Sequence, residues 1–320
     1  MRTAVVGVGV IGNVHMRVLL EQKKNVVALC DIDAEKLKAY PDLQGYADYL
    51  TMLDEVKPDV VHICTPHHLH ADMTIAALDR GINVLCEKPL CIKEEDIPRI
   101  LAAEERSSAK LGVCFQNRYA PANDYIKKYL QTQEIQSVWA TLAWKRDAAY
   151  YASASWRGKK ATEGGGVLIN QAIHTLDLIE WLTGTPEFIT ARTENFSLQG
   201  VIDVEDTAIV RGEGVTPFTL FATNAHFTDC PVEIKIKTED DLICIKSNTV
   251  EIGGKKHNFT HEKEYYGKPC YGVGHSPLIY DFYDCLATGR AFPIDGKEGM
   301  KAVRTVLTAY KSNGEKIQII

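Results

Sequence analysis

The chain has 320 residues, 45% of them hydrophobic and 24% charged, a composition that is typical of globular proteins and excludes a largely disordered chain. Its length predicts two domains, because single hydrophobic cores stop growing beyond about 250–300 residues. The net charge of −6 disfavours a nucleic-acid partner, which calls for a basic surface. No apolar run approaches the roughly 18 residues that span a bilayer, so we expect a cytoplasmic protein without a membrane partner.

The first 116 residues alternate between short apolar runs and amphipathic stretches. The runs are β-branched and almost continuously hydrophobic, which is typical of strands buried on both faces of a parallel sheet. We predict strands at residues 3–7, 25–31, 59–65, 82–87 and 111–116. We predict helices at residues 13–22, 34–40, 69–79 and 93–108. This alternation predicts an α/β fold that begins with a Rossmann domain, a doubly wound parallel sheet, over residues 1–118.

A glycine motif follows the first predicted strand. Gly7, Gly9 and Gly12 form GxGxxG, and Asp31 follows 19 residues after Gly12, close to the expected spacing of about 20. Gly7 permits the tight turn, Gly9 lets the backbone approach a pyrophosphate, and Gly12 lets the helix pack against the strand. The helix N-terminus offers free amides to the phosphates. The residues that we predict to bind the cofactor here are Gly7, Gly9, Ile11, Gly12, Asn13 and Asp31.

The identity of the cofactor depends on Asp31. A carboxylate at this position is expected to accept hydrogen bonds from the ribose hydroxyls and to repel a 2′-phosphate. No arginine follows within the next nine residues to neutralise such a phosphate. The sequence therefore favours NAD over NADP, although Lys36 leaves NADP open.

Reactive side chains follow two later strands, at the edge of the sheet where ligands bind in such folds. Lys88 comes directly after the strand at residues 82–87, so its amine is expected to lie beside the nicotinamide and to serve in proton transfer or in orienting a hydroxyl. His62 lies within a strand and is interpreted as a hydrogen-bonded core residue. The residues that we predict to bind the cofactor at these strand ends are Thr65, Pro66, His67, His70, Glu87 and Lys88.

No metal site is predicted. His67, His68 and His70 are closely spaced, but no carboxylate lies among them, and we interpret them as capping or ligand-contact residues. The nine cysteines include no CxxC pair. We interpret them as reduced thiols that pack as small apolar residues.

From residue 119 the apolar residues alternate with polar ones. Val232, Ile234 and Ile236 face one way while charged residues face the other, and residues 206–213, 217–226 and 241–247 repeat the pattern. Such alternation is typical of an antiparallel sheet with one covered face. Helices are predicted at residues 122–131, 166–182, 277–287 and 297–313. We therefore predict a C-terminal α+β domain over residues 119–320 with a large open, mainly antiparallel sheet, which serves substrate binding and oligomerisation.

A glycine triplet at residues 164–166 opens one of these helices. Asn170, His174 and Asp177 follow at spacings of four and three residues, which places them on one helix face. A histidine presented in this way can exchange a proton with a substrate hydroxyl. The alternative is an amphipathic core helix whose polar face lies in solvent.

These motifs, in this order, resemble the glucose–fructose oxidoreductase, inositol dehydrogenase and rhizopine-catabolism family, known as Gfo/Idh/MocA. The resemblance rests on GVGVIG, CTPHHLH, EKPL, FQNRYAP, SWRG, GGGVLINQAIHTLDL and YGVGHSPLIYDF, and it covers essentially the whole chain. It implies a Rossmann domain followed by a domain with a large open antiparallel sheet. In this family that sheet commonly forms the oligomer interface, so we expect a homodimer or homotetramer.

The resemblance implies catalytic roles for three residues. Lys88 matches the active-site lysine of the EKP motif, with a cis Lys88–Pro89 peptide bond, and His174 matches the catalytic histidine. Many members carry aspartate four residues before that histidine, whereas this chain has Asn170, which can bond a hydroxyl but cannot take its proton. His174 and Lys88 then handle the proton alone or with another acid such as Asp177.

The same resemblance places further residues near the ligands. Asn117 is expected near the nicotinamide, Trp156 and Arg157 near the cofactor or the substrate, and Tyr150 in the pocket wall. The residues that we expect near the substrate are Arg118, Tyr151, Asp177, Tyr271 and His275.

One function leads and two alternatives stay open. The leading function is an NAD-dependent oxidoreductase that interconverts a secondary alcohol and a ketone on a sugar, cyclitol or sugar derivative. The first alternative is a non-catalytic regulatory protein that binds NAD and a sugar, which Asn170 favours and the pair Lys88 and His174 disfavours. The second is an NAD-dependent glycosidase or epimerase that uses transient oxidation.

Overall fold

The computed structural model describes residues 1–259 and 272–320. They form two compact units. The first comprises Met1–Tyr119 and the described part of Lys263–Met300, and the second comprises the described part of Ala120–Glu262 and Lys301–Ile320. Among the described residues, no helix is both long enough and apolar enough to span a bilayer.

The first unit is built on a six-stranded parallel sheet. Its strands are β1 (Arg2–Val6), β2 (Asn25–Cys30), β3 (Gln44–Tyr46), β4 (Val60–Ile63), β5 (Asn83–Glu87) and β6 (Leu111–Cys114). Their order is β3-β2-β1-β4-β5-β6, and all neighbours pair in parallel. β4 and β6 are buried along their whole length, as their continuous hydrophobicity predicts. The predicted doubly wound sheet is confirmed, and its order reverses between β1 and β4, where such folds bind ligands.

The second unit is built on a nine-stranded sheet. Its strands are β7 (Ile135–Ala143), β8 (Phe188–Glu194), β9 (Thr207–Glu213), β10 (Phe218–Thr223), β11 (Glu233–Thr238), β12 (Leu242–Lys246), β13 (Thr249–Ile252), β14 (Lys255–Asn258) and β15 (Ile317–Gln318). The order is β14-β13-β12-β11-β7-β10-β9-β8-β15. Only the central pair β7 and β10 runs in parallel. In β11, Ile234 and Ile236 are buried and Lys237 is exposed, so the predicted alternation and the mainly antiparallel sheet are confirmed.

The helices broadly follow the predicted ranges. They are α1 (Val10–Glu21), α2 (Ala34–Leu37), α3 (Tyr49–Val56), α4 (His70–Leu78), α5 (Asp96–Arg106), α6 (Pro121–Tyr129), α7 (Ala148–Ala152), α8 (Ile173–Thr183), α9 (His275–Thr288) and α10 (Gly296–Ser312). α2 ends three residues before its predicted end, because Pro41 disfavours the helical conformation at the residue before it. α1 begins at Val10 rather than at Asn13, because Gly9 already serves as its N-cap.

The helix predicted at residues 166–182 has two parts. Residues Leu168–Ala172 form a π-helical turn, and α8 continues it as a regular α-helix. Such turns are rare and occur frequently at functional sites. Asp177 and Glu180 are buried together with the apolar residues of α8. Asp177 thus does not lie in solvent, as the alternative interpretation expected of this polar face, whereas Asn170 and His174 are half-buried.

Candidate cofactor and active site

The glycine loop between β1 and α1 combines two crowded positions with one open position. Gly7 has a φ of +83°, and a Cβ there would lie 2.6 Å from the carbonyl oxygen of Cys64. A Cβ at Gly12 would lie 1.9 Å from the carbonyl oxygen of Gly7. At Gly9, by contrast, no atom lies within 4 Å of the Cβ position. The loop is thus packed from behind and open at Gly9, where a ligand can approach the backbone.

Asn13 and Asp31 hold this loop in place. The Asn13 side-chain amide donates to the carbonyl oxygens of Val8 and Gly9 at 3.1 and 2.9 Å. The Asp31 carboxylate accepts the Val8 N–H at 2.8 Å and the Asp33 N–H at 2.9 Å. A carboxylate offers about four acceptor positions, and these two backbone N–H groups take two of them. The end of β2 and the glycine loop therefore form one hydrogen-bonded unit.

Lys36 is the cation beside Asp31. Its Nζ lies 3.3 Å from Asp31 Oδ1, and its side chain is 43% exposed. The ammonium therefore offsets part of the negative charge by which we predict Asp31 to repel a 2′-phosphate.

The half-buried Ile11 follows Gly9 in the first turn of α1.

The segments that follow β4 and β5 are joined by His70. Its Nδ1 lies 2.8 Å from the carbonyl oxygen of Pro89, and its Nε2 lies 2.8 Å from that of Thr65. Burial lowers the pKa of His70, and the two carbonyl oxygens oppose that effect. The Lys88–Pro89 peptide bond is cis, as the family resemblance implies. The buried His67 and the half-buried Pro66 lie in the same connection, so the predicted residues at these two strand ends are held together.

Glu87, the last residue of β5, ends a buried chain of hydrogen bonds. Its Oε1 lies 3.0 Å from His15 Nε2, and His15 Nδ1 lies 2.8 Å from His62 Nδ1. His62 Nε2 lies 3.1 Å from the Tyr283 hydroxyl, which lies 2.7 Å from Thr3 Oγ1. All five side chains are buried. Since one proton lies between the two Nδ1 atoms, neutral imidazoles and an ionised Glu87 make every donor in the chain point toward Glu87.

The chain of hydrogen bonds keeps Glu87 ionised. Burial raises the pKa of this carboxyl, but the hydrogen bond from His15 and the imidazole of His275, whose Nε2 lies 3.6 Å from Oε1, outweigh burial and hold its pKa well below the usual range. Burial lowers the pKa of His62 and of His275. Glu87 Oε2 also accepts the Lys88 N–H at 3.3 Å. A fixed negative charge therefore lies directly beside the backbone of Lys88, and His275, which we expected near the substrate, lies buried against it.

Two further predicted residues of the first unit follow β6. Asn117 and Arg118 lie in a short 3₁₀ turn, Gln116–Tyr119. Arg118 is buried and donates to Glu298 at 2.9 Å. Tyr271 lies outside the described residues.

Four predicted aromatic and basic residues of the second unit lie together. The Arg157 guanidinium lies 4.5 Å from the ring centre of Tyr150 and 4.7 Å from that of Trp156. The Tyr150 and Tyr151 rings meet edge to face at 5.0 Å. Gln171 donates to the Tyr150 hydroxyl at 3.2 Å. Arg157 thus lies against two aromatic rings, an arrangement that favours a fixed guanidinium.

Asn170 belongs to the π-helical turn, and His174 and Asp177 belong to α8. Asn170 and His174 are half-buried, whereas Asp177 is only 1% exposed. The Asn170 side-chain amide donates to Glu163 Oε1. Glu163 Oε2 accepts the N–H of Gly158. A buried carboxylate therefore joins the helix of Asn170 to the loop of Trp156 and Arg157.

Sequence reasoning missed four residues that complete these clusters. His15 follows Gly12 by three residues on the buried side of α1, and Glu163 directly precedes the glycine triplet. Gln171 and Asn224 are joined at 3.0 Å, and Asn224 also donates to Tyr151 at 3.2 Å. The acid before the triplet was visible in the sequence, but its partner was not, because only the fold shows which side chain it reaches.

Comparison with known families gives two matches. Residues 1–115 match the GFO_IDH_MocA model, described as an oxidoreductase family with an NAD-binding Rossmann fold. Residues 131–228 match the model of the GFO/IDH/MocA C-terminal domain. The two matches follow each other in the order that the predicted domains have.

Two related proteins carry the names of sugar or cyclitol dehydrogenases. D-glucoside 3-dehydrogenase of Escherichia coli is 27% identical over 208 residues, which are 62% of this chain and 59% of that protein. Inositol 2-dehydrogenase of Salmonella typhimurium is 27% identical over 190 residues, 57% of this chain and 54% of that protein. The chain thus spans less than two thirds of either relative. The solved structure of WlbA dehydrogenase from Chromobacterium violaceum, in complex with NADH and UDP-GlcNAcA, is 29% identical with a TM-score of 0.87, covering 100% of this chain and 96% of that chain.

Proposed function

Because this chain belongs to the GFO/IDH/MocA oxidoreductase family, whose N-terminal domain is an NAD-binding Rossmann fold, we propose that it is an NAD-dependent dehydrogenase. It interconverts a secondary alcohol and a ketone on a sugar, cyclitol or sugar derivative. The observation that carries this proposal is the hydrogen bond from Val8 N–H to Asp31 at 2.8 Å. It joins the open glycine loop to the carboxylate expected to bind the ribose, so both ends of an adenosine diphosphate can be held at once.

The residues of the first unit fit the cofactor. Open space at Gly9 accommodates a pyrophosphate against backbone amides, and the Asp31 carboxylate can accept the ribose hydroxyls in place of Lys36, whose side chain is 43% exposed. Bound NAD supplies the hydride acceptor. The connections after β4 and β5, which His70 ties together, would hold the rest of the dinucleotide.

Lys88 and His174 manage the proton of the alcohol in this proposal. An ammonium at Lys88 orients the reacting hydroxyl, and the imidazole of His174 takes its proton as a general base. Glu87 supports Lys88 by accepting its backbone N–H at 3.3 Å. Asn170 bonds a substrate hydroxyl without taking its proton, since an amide is not a base.

The substrate class follows from the relatives. Two act by name on a glucoside and on inositol, and the related structure contains a nucleotide sugar acid. The paired tyrosines and the Arg157 guanidinium of the second unit suit a hydroxylated ring, which offers C–H faces to aromatic rings and acceptors to the guanidinium.

The direct test is a screen of polyols, glycosides and nucleotide sugar acids with NAD, followed by the absorbance of NADH. Lys88→Met should abolish turnover and leave the unfolding midpoint unchanged. The control is Lys110→Met, which removes an exposed lysine and should keep full activity. Full activity of Lys88→Met would overturn the proposed chemistry. NAD that binds tightly but is never reduced would support the regulatory alternative instead.

We also propose that the chain forms a homodimer or homotetramer through its nine-stranded sheet. Trp139, Ile209 and Phe221 are exposed large apolar residues on adjacent strands of this sheet, and such a patch favours association. Ile209→Lys should lower the mass measured by sedimentation, whereas Val215→Lys in an exposed turn should not. A monomeric wild-type chain would contradict this proposal.

A further inference from the structure

Glu163 is a buried acid that the proposed mechanism does not use. It is 1% exposed, and both of its carboxylate oxygens accept hydrogen bonds. One partner is the backbone N–H of Gly158, and the other is the side-chain amide of Asn170. Burial of a carboxylate costs free energy unless hydrogen-bond donors compensate it. The donors at Gly158 and Asn170 provide this compensation for Glu163.

The Gly158 contact fixes Glu163 itself. Gly158 has a φ of +68°, and a Cβ there would lie 2.3 Å from Ile202 Cγ2, so the backbone cannot easily shift. The loop is closed a second time by Thr162, whose hydroxyl donates to the carbonyl oxygen of Trp156 at 2.7 Å. The carboxylate therefore reaches Asn170 from a rigid position.

The contact with Glu163 determines whether the oxygen or the NH₂ group of the Asn170 amide faces Glu163. An ionised carboxylate only accepts hydrogen bonds, so it selects the NH₂ end of the Asn170 amide. The carbonyl oxygen of that amide is then the end turned away from Glu163. An asparagine held in this way turns its carbonyl oxygen, together with the second N–H of its NH₂ group, toward its other neighbours.

We propose that Glu163 is a positioning residue that holds Asn170 as a hydrogen-bond acceptor for a hydroxyl of the substrate. This inference rests on the proposed function, because it takes Asn170 to face the substrate. It adds the direction of that hydrogen bond and the side chain that sets it. The substrate class is accordingly one with a free hydroxyl donor at this position.

Exchange of the two side chains tests the proposal. In Glu163→Gln, the introduced amide must give its oxygen to the Gly158 N–H, so its NH₂ faces Asn170. Asn170 then turns its own oxygen toward position 163 and offers a donor to the substrate. We expect kcat/KM for the substrate to fall about tenfold to a hundredfold, with the KM for NAD unchanged.

The double variant Glu163→Gln with Asn170→Asp restores every donor and acceptor. The introduced amide bonds Gly158 N–H through its oxygen and the introduced carboxylate through its NH₂, so an acceptor faces the substrate again. Glu163→Gln lowers log(kcat/KM), and we expect the double variant to recover at least half of this decrease. A double variant that is as poor as Glu163→Gln overturns the proposal, as does wild-type activity of Glu163→Gln.

Asn170→Asp alone gives a pH signature that a structural role would not produce. Two adjacent carboxyls must share a proton, which raises the pKa of the pair. The shared proton leaves one oxygen facing the substrate as an acceptor, so activity should survive at low pH and fall as the pH rises. Three phenols interact with Glu163, those of Tyr150, Tyr151 and Tyr310, and burial raises the pKa of each. They stay neutral through this range, and a pH profile identical to that of the wild type contradicts the shared proton.

A second readout separates this inference from the proposed function. The wild type, Glu163→Gln, Asn170→Asp and the double variant form a double-mutant cycle. Urea-induced unfolding of these four proteins measures the coupling and needs no substrate. Favourable coupling between positions 163 and 170 with no dehydrogenase activity in any protein overturns the proposed function and keeps the hydrogen bond. Activity without coupling overturns the role of Glu163. Glu213→Gln, which changes a partly exposed carboxylate on β9, is the matched control and should leave kcat/KM unchanged.

Discussion

His70 Nδ1 lies 2.8 Å from the carbonyl oxygen of Pro89, so the first residue of α4 holds the residue that follows Lys88. The second ring nitrogen of His70 holds Thr65 at the same distance. One buried imidazole thus lies between two connections at the ligand-binding edge of the parallel sheet, and in its neutral form it donates to one of them. The position of Lys88 depends on a side chain that need not contact the substrate.

Replacement of His70 should reduce both stability and turnover. A neutral imidazole donates to one of the two carbonyl oxygens, so His70→Leu leaves one buried acceptor of Thr65 or Pro89 without its donor, at a cost of about 1–3 kcal/mol. We expect a lower urea midpoint and a lower kcat, because Lys88 loses its fixed backbone. An unchanged midpoint together with unchanged kcat would show that the imidazole bridge contributes nothing.

Two glycines of the loop should respond in opposite ways to alanine. Gly9 has a φ of −80°, which any residue adopts, and open space at its Cβ position. Gly9→Ala should therefore fold normally but bind NAD about tenfold more weakly, because the methyl group occupies the path of the pyrophosphate. Calorimetric titration with NAD and unfolding in urea measure the two effects separately.

Gly12→Ala is the matched comparison. Its Cβ would lie 1.9 Å from the carbonyl oxygen of Gly7, so α1 must move away from the loop. We expect a clear loss of stability before any ligand is added. If Gly9→Ala binds NAD as tightly as the wild type, the pyrophosphate does not lie against Gly9.

Asp31 should control the choice between NAD and NADP. Asp31→Ser removes the acceptor for the ribose hydroxyls and the repulsion of a 2′-phosphate, while Lys36 stays in place as a cation. Since a hydrogen bond to a charged group is worth about 1.5–3 kcal/mol, the KM for NAD should rise about tenfold to a hundredfold. The ratio of kcat/KM for NADP to that for NAD should rise more steeply still, and this ratio does not depend on stability. Asp42→Ser removes an exposed acid and should leave the ratio unchanged, whereas an unchanged ratio in Asp31→Ser contradicts the assignment.

The sequence predicts the elements whose pattern is long or local. Continuous apolar runs predict the buried parallel strands, and strict alternation predicts strands such as β11. β3 and α3 were not predicted. The strand at residues 44–46 has three residues and is too short to show the alternation of apolar and polar residues by which strands are predicted. The π-helical turn at Leu168–Ala172 was not predicted either, since a residue pattern for a helix does not distinguish it from an α-helical turn.

In the candidate site, too, residues that belong to a local sequence motif were predicted, and partners that are distant in the chain were not. Gly7, Gly9, Gly12 and Asp31 were predicted because strand, turn and helix follow each other directly in the chain. The bond between His15 and Glu87 joins residues 72 positions apart, and no local pattern connects them. Glu163 and Asn170 are only seven positions apart, but the positive-φ Gly164 lies on the path between them. Only the three-dimensional fold therefore showed these partners.

The buried histidines should make stability fall in mild acid. Burial lowers the pKa of His62, His70 and His275 in the folded chain. Below about pH 6.5, the ordinary value of a free histidine, the unfolded chain binds more protons than the folded chain. Stability is therefore fully present above this pH and falls below it, by up to about 1.4 kcal/mol per pH unit for each histidine. Glu87, whose pKa is depressed, adds a further loss as the pH falls below the ordinary carboxyl value of 4.5.

Urea unfolding at a series of pH values between about 8 and 5 measures this slope. His62→Asn keeps an amide donor for His15 and removes one titrating imidazole, so its slope should be smaller by up to one proton. His226→Asn changes a surface histidine of the second unit and should leave the slope as it is. Stability that stays constant or rises between about pH 6.5 and 5 would show that the buried imidazoles are already protonated in the folded chain.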